Sequence, residues 1–215
     1  MDQPDPAPES GSATRASAGE RQNRNVARGE ATRAQLIAIA MRMFAERGYE
    51  DTSIEAVLRE AGVSRGSLYH HFPSKEALFE AVAEAVETSI GAQTGAAAGD
   101  FADPVEALRS GALAWIRLAG DPVVRRILLI DGPSVLGWER WRAMEERHAL
   151  GLVKAVLQLI ADQGKLRQEV VDTMAHVVLA SVNEVALLVA RSADQEAAME
   201  AGAAAIDELL LRMFG

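Results

Sequence analysis

From residue 30 to residue 213 the apolar side chains recur at intervals of three and four, and no stretch alternates residue by residue. Leu36, Ile37, Ala40, Met43 and Phe44 set the pattern. Such spacing lines one stripe of a helix and cannot build the face of a sheet. It predicts an all-α fold. Punctuation residues set the helix lengths. Gly48 suits the end of a first helix, and Gly62 the end of a second whose apolar face is Ile54, Val57, Leu58 and Ala61. Thr52-Ser53-Ile54-Glu55 reads as a capping box for that second helix. Ser64 caps a short third helix around Leu68, Pro73 stops it, and Ser74 caps a fourth with Leu78, Phe79, Val82, Val86 and Ile90 along one face. Gly91 to Gly99 reads as a Gly/Ala linker. Asp103-Pro104 and Asp121-Pro122 each place an N-cap before a proline at the first helical position. Gly132-Pro133 marks a break, after which a long helix runs from about Val135 to Asp162. Two more helices follow, from about Glu169 to Ala190 and from about Asp194 to Met213, with Ser192-Ala193-Asp194-Gln195 as a second capping box. The expectation is about nine helices.

Three segments are expected. Residues 1–29 carry one large apolar side chain after Met1, Val26, and read as an unstructured arm. Arg15, Arg21, Arg24 and Arg28 give the arm a basic character that suits either a solubilising tail or contact with nucleic-acid phosphates. Residues 30–78 hold the short helices, and residues 79–215 the long ones. The 215 residues contain no cysteine, which excludes disulfides, Cys-ligated metal centres and thiol nucleophiles. No cofactor is expected. The start of the chain lacks the basic and apolar regions of a signal peptide, and no run of 18 apolar residues is present. A cytoplasmic protein without a membrane partner is therefore expected.

The second and third helices are joined by Ala61-Gly62-Val63-Ser64 alone, the spacing of a helix-turn-helix. The third helix presents Arg65, Gly66, Ser67, Tyr69, His70 and His71 around one buried leucine, with no acidic residue. A donor-rich, acid-free face suits a DNA major groove. Lys75 follows at the start of the fourth helix, placed for a phosphate. Read plainly, Arg65 is a solvated surface charge and Tyr69 packs beside Phe72. The net charge of −9 excludes a uniformly basic surface, and residues 31–80 themselves hold six Lys/Arg against seven Asp/Glu.

The run from Thr52-Ser53-Ile54 through Glu60-Ala61-Gly62-Val63-Ser64-Arg65-Gly66-Ser67-Leu68-Tyr69-His70-His71-Phe72-Pro73-Ser74-Lys75-Glu76-Ala77-Leu78 resembles the signature of the tetracycline-repressor (TetR) family. Arg33, Ile37, Ala40, Phe44 and Gly48-Tyr49 fit the helix before it, and Leu58 departs from the small residue usual there. The resemblance implies a homodimeric, ligand-responsive transcriptional repressor with a helical ligand-binding and dimerisation domain behind the DNA-binding one. It implies that Arg65 and Ser67 face bases, and that Tyr69, His71 and Lys75 hold the phosphate backbone. Thr52 or Ser53 would offer a hydroxyl and a helix N-terminus to a phosphate, with Ser64, Gly66 and His70 beside them.

In the C-terminal part, the last two helices are the expected dimer interface. Val171, Met174, Val178, Val185, Leu188 and Val189 lie on one, and Ala197, Ala198, Ala201, Ala204, Ala205 and Leu209 on the other. A pocket is expected among the helices between 104 and 190. Trp115 lies on an apolar stripe with Leu108 and Ala112; Trp141, Met144 and His148 share another; His176 and Asn183 share a third. Polar groups on apolar faces orient a hydrophobic small-molecule effector or are satisfied core residues. Two other readings stay open. Glu145 and His148 form a Glu-x-x-His pair, the unit of di-iron helical bundles, although a second pair is missing. A constitutive, ligand-free repressor is the other.

Overall fold

The computed structural model describes the backbone of residues 11–99 and 102–215, and side chains from Val26 onward outside the same gap. Among the described residues there are nine helices and no strand. α1 spans Gly11–Arg47, α2 Ile54–Ala61, α3 Arg65–His71, α4 Lys75–Ala98 and α5 Pro104–Leu118. α6 joins Pro122–Val124, a π-helical stretch Arg125–Asp131 and Gly132–Leu136. α7 joins Trp138–Glu145, a π-helical turn Glu146–Leu150 and Gly151–Asp162. A 3₁₀ turn, Gln168–Val170, leads into α8, Val171–Arg191, and α9 spans Gln195–Phe214. The all-α expectation holds.

Two apolar cores organise these helices. The first gathers Leu36, Met43 and Phe44 of α1, Val57 of α2, Leu68 of α3, Leu78, Phe79 and Val82 of α4, and Ile127 and Leu128 of α6, with Leu58 packed on its edge. The second gathers Leu113 and Ile116 of α5, Leu157 and Ile160 of α7, Ala175 and Val178 of α8, and Ile206 and Leu210 of α9. α4 runs unbroken past residue 78, so one rigid rod connects the two halves of the chain.

Several expected boundaries differ from those observed. α1 begins at Gly11, inside the segment read as an unstructured arm, while residues 1–10 of that arm lie outside the described residues. The last proline before it is Pro8, and the stretch beyond is rich in Ala, Arg, Glu and Gln. These residues favour helix without supplying an apolar stripe for periodicity to register. Gly91 to Ala98 is not a linker but the last turns of α4, where alanines sustain the helix and the glycines are tolerated. The Gly132-Pro133 break is bridged. The π-helical stretch before it widens the backbone, and a proline there does not end α6; Gly137 does. The second capping box is not formed as read. Ser192 closes α8 and bonds locally to Asp194, whose own carboxylate caps α9 through the Ala197 amide.

By length and composition, Gln168–Arg191 could cross a membrane. In this fold its Ala175, Val178, Leu179, Val182, Ala186 and Val189 are buried against the other helices.

Candidate nucleic-acid interface and ligand cavity

α3 is short, and its placement depends on its neighbours. The Ser64 hydroxyl accepts from the Ser67 amide (3.2 Å) to cap it, Leu68 is fully buried beneath it, and Phe72 locks its exit. The αL turn at Gly62 (φ +64°) joins it to α2, a conformation that costs glycine nothing. The Arg33 guanidinium lies 5.2 Å from the centre of the Phe72 ring and ties α1 to that exit. Arg65, Gly66, Tyr69 and His70 are exposed, and Ser67 and His71 are half-buried. The structure therefore brings all six predicted residues of α3 to one short element with its core-facing side filled.

Three details are new. The Arg65 guanidinium is ion-paired with Glu55 of α2 and sits 6.0 Å from the centre of the Tyr69 ring. Glu55 was readable as a capping-box member and not as a partner for Arg65. Lys75 is half-buried: its ammonium lies 4.1 Å over the Tyr49 ring and donates to the Glu50 carbonyl (3.3 Å). Thr52 requires a correction. It is 1% exposed, and its hydroxyl donates to the carbonyls of Gly48 (2.8 Å) and Met43 (3.2 Å). It staples the end of α1 and has no hydroxyl to offer a phosphate. The N-cap of α2 is Ser53, which is exposed and accepts from the Ala56 amide (3.2 Å).

Behind this unit, α4, α5, α6, α7 and α8 enclose a cavity of about 280 Å³. Ile90, Leu108, Leu128, Val156 and Val182 supply apolar wall, and Gly91, Gly95 and Ala98 keep the α4 side of it thin. Of the predicted ligand residues, Trp115, Trp141, His148 and Asn183 line it. Met144 does not: it is 2% exposed and belongs to the first core, and the π-helical turn that follows it breaks the stripe it was expected to share with His148. His176 is also absent from the wall, standing 3.5 Å from the Arg142 guanidinium instead.

The polar wall is largely self-satisfied. Trp115 donates from its indole to Asn183 Oδ1 (2.9 Å), Asn183 donates from its amide to Glu145 Oε1 (2.5 Å), and Arg142 donates to Glu145 Oε2 (2.6 Å). His148 Nε2 lies 2.8 Å from Glu84 Oε1, and Arg147 donates to the other oxygen of Glu84 (3.1 Å). Burial opposes ionisation of Glu84, but the bonds and charges of His148 and Arg147 outweigh it and hold the carboxyl below its ordinary range. Glu87 is the exception. It lines the cavity, and no hydrogen-bond partner is found for its carboxyl among the described residues. Burial pushes it up to about 7, with Glu145 and Glu84 adding to the rise and His148 opposing it. Glu87 escaped sequence reasoning because charged residues on an amphipathic helix default to its solvent side, and Glu145 reads in the sequence only as half of a Glu-x-x-His pair, not as part of a cavity wall. With both oxygens of Glu145 bonded and His148 paired to Glu84, the two do not converge on a metal position.

The cavity and the helix-turn-helix share a wall. Leu128 and Leu129 of the π-helical stretch line the cavity. From the end of the same stretch, buried Asp131 accepts from the Tyr49 amide (2.8 Å) and from Arg126 Nε (3.1 Å), gripping the α1–α2 turn. The Arg126 guanidinium lies where a side chain at Gly48 (φ +83°) would stand.

Comparison with known proteins agrees with this architecture. Residues 36–82 match the tetR family of bacterial regulatory proteins, and residues 105–213 match the Tetracyclin repressor-like C-terminal domain. The transcriptional regulator AcrR of Shigella flexneri is 38% identical over 60 residues, 28% of each chain. The transcriptional repressor KstR2 of Mycolicibacterium smegmatis is 46% identical over 50 residues, 23% of this chain and 24% of its own. The matches thus span about a quarter of these curated relatives. A TetR-family regulator from Pectobacterium atrosepticum is similar throughout: 31% identity, TM-score 0.74, with 87% of this chain and 96% of that chain covered. The chain belongs to the TetR family of bacterial transcriptional regulators.

Proposed function

We propose that this chain is a dimeric repressor that leaves a near-palindromic operator when a small, mostly apolar effector fills the cavity. The observation that carries the reading is the shared wall: one π-helical segment lines the cavity with Leu128 and Leu129 and grips the α1–α2 turn through Asp131. Arg65 and Ser67 read base edges in the major groove, where arginine pairs with guanine. Ser53, Ser64, Gly66, Tyr69, His70, His71 and Lys75 hold or approach the phosphate backbone. Two copies pair through α8 and α9, whose Val177, Leu188 and Leu211 are exposed apolar side chains and whose Ala197, Ala201, Ala204 and Ala205 leave room for close approach. Paired recognition helices then meet half-sites one helical turn apart, about 34 Å.

Ligand binding shifts α6 and α7, and α4 carries the change to the DNA end. Such a shift requires an effector that prefers one state over the other. The test is a mobility-shift titration with DNA from upstream of the protein's own gene at ~150 mM salt, where non-specific phosphate binding is weak. A discrete, competitor-resistant complex is expected. Arg65→Ala should weaken it by ~10- to 100-fold, the loss of one bidentate base contact. A complex that Arg65→Ala leaves unchanged removes Arg65 from the interface.

A further inference from the structure

We infer that the effector is an apolar molecule bearing a protonated amine, and that the Glu87 carboxylate is the group that receives it. The inference rests on the cavity being the effector site. The other charged and amide groups of the polar wall are engaged within the chain: Asn183 with Trp115 and Glu145, Glu145 with Arg142, and His148 with Glu84. Thr94, on α4, donates to the Ile90 carbonyl (2.9 Å). Glu87 alone presents a carboxyl to the cavity with no partner among the described residues. A carboxyl left in apolar surroundings is costly to ionise, and a cation that enters beside it supplies the missing counter-charge.

The field around Glu87 selects the sign of that partner. Glu84 faces it from α4, and Glu145 and His148 face it from α7. The two nearby guanidiniums are already committed, Arg142 to Glu145 and Arg147 to Glu84. An anionic effector would therefore meet carboxylates with no free cation. A neutral one could hydrogen-bond Glu87 but would bring no counter-charge to it. An ammonium satisfies it with a charge-assisted hydrogen bond, while the indoles of Trp115 and Trp141 supply aromatic wall for the rest of the molecule.

The experiment uses the full chain without DNA and three probes of one shape: 4-phenylbutylamine, 4-phenylbutanol and 4-phenylbutyrate. Binding is read by tryptophan fluorescence, since two of the three tryptophans line the cavity. The amine should bind at least ~10-fold more tightly than the alcohol, the smaller end of a charge-assisted bond, and the carboxylate most weakly. Glu87→Gln should bring the amine down to the level of the alcohol and leave the alcohol where it was, which also shows the cavity intact. Equal binding of amine and alcohol, no binding by any of the three, or an amine preference that survives Glu87→Gln each overturns the inference. Operator release is read separately on the same proteins. Amine binding through Glu87 without release counts against the regulatory reading alone. Release by the alcohol, with no advantage for the amine, counts against Glu87 alone.

Discussion

Glu87 has a consequence that needs no ligand. Its folded-state pKa of about 7 stands above the ordinary 4.5, chiefly because burial disfavours the charge. Between those values the folded chain keeps a proton that the unfolded chain has released, so stability falls as pH rises through that window and is flat above it. Glu87→Gln cannot ionise. Urea unfolding should find it more stable than the wild type by about 3 kcal/mol at pH 8 and equal to it near pH 4. A constant offset across that range would mean that Glu87 is solvated. At this scale the sequence distinguishes residue types better than the jobs they hold. Thr52 and Ser53 are adjacent hydroxyls, and both read as phosphate donors. Only packing shows that Thr52 is stapled under α1 while Ser53 caps α2 at the surface. Leu68 was plain because a lone leucine among polar residues has one place to go.

At the scale of the element, α4 and α6 both line the cavity and both reach the helix-turn-helix. The glycines of α4 form cavity wall, and a Cβ at Gly91 or Gly95 would meet no atom within 4 Å. Gly95→Leu should therefore keep the helix, gain about 0.5–1 kcal/mol from propensity, and fill the cavity. Calorimetry with an effector should show binding lost while operator affinity stays intact. If effector binding persists, the effector sits elsewhere. Gly132 is the opposite case, because its absent Cβ would stand 2.9 Å from the Ile127 carbonyl. The helices themselves were legible from periodicity and caps. The π-helical stretches were not, since an extra residue in a turn leaves no compositional mark, and Gly132-Pro133 was read as the end of a helix that passes through it. The second π-helical stretch likewise breaks the spacing that joined Met144 to His148: Met144 lies in the first core and His148 at the cavity.

At the scale of the whole molecule, the proposed pairing of two copies carries its own prediction. The acidic surface gives little general attraction to DNA, so affinity depends on two half-sites engaged together, a gain of ~10²- to 10⁴-fold over one. Leu188 and Leu211 are 62% and 65% exposed on α8 and α9. Leu188→Glu with Leu211→Glu should give a monomer by sedimentation and cost operator binding at least ~100-fold, with the helical content unchanged. A variant that remains dimeric places the interface on another face. The split between inward and outward residues on α8 was only partly legible. Val171, Val178 and Val189 look like Leu188 in sequence, yet they are buried in the chain's own core.

The thin wall of α4 also bears on how such a chain diversifies. Alanine or a larger residue at Gly91 or Gly95 leaves the rod that carries Lys75 in place and changes only the shape of the chamber beside it. With the cavity as the proposed effector site, single codon changes there would retune which molecule is sensed while the proposed DNA-reading surface, built from other residues, is inherited intact. A lineage carrying this arrangement can explore new inducers without passing through ancestors that have lost their operator.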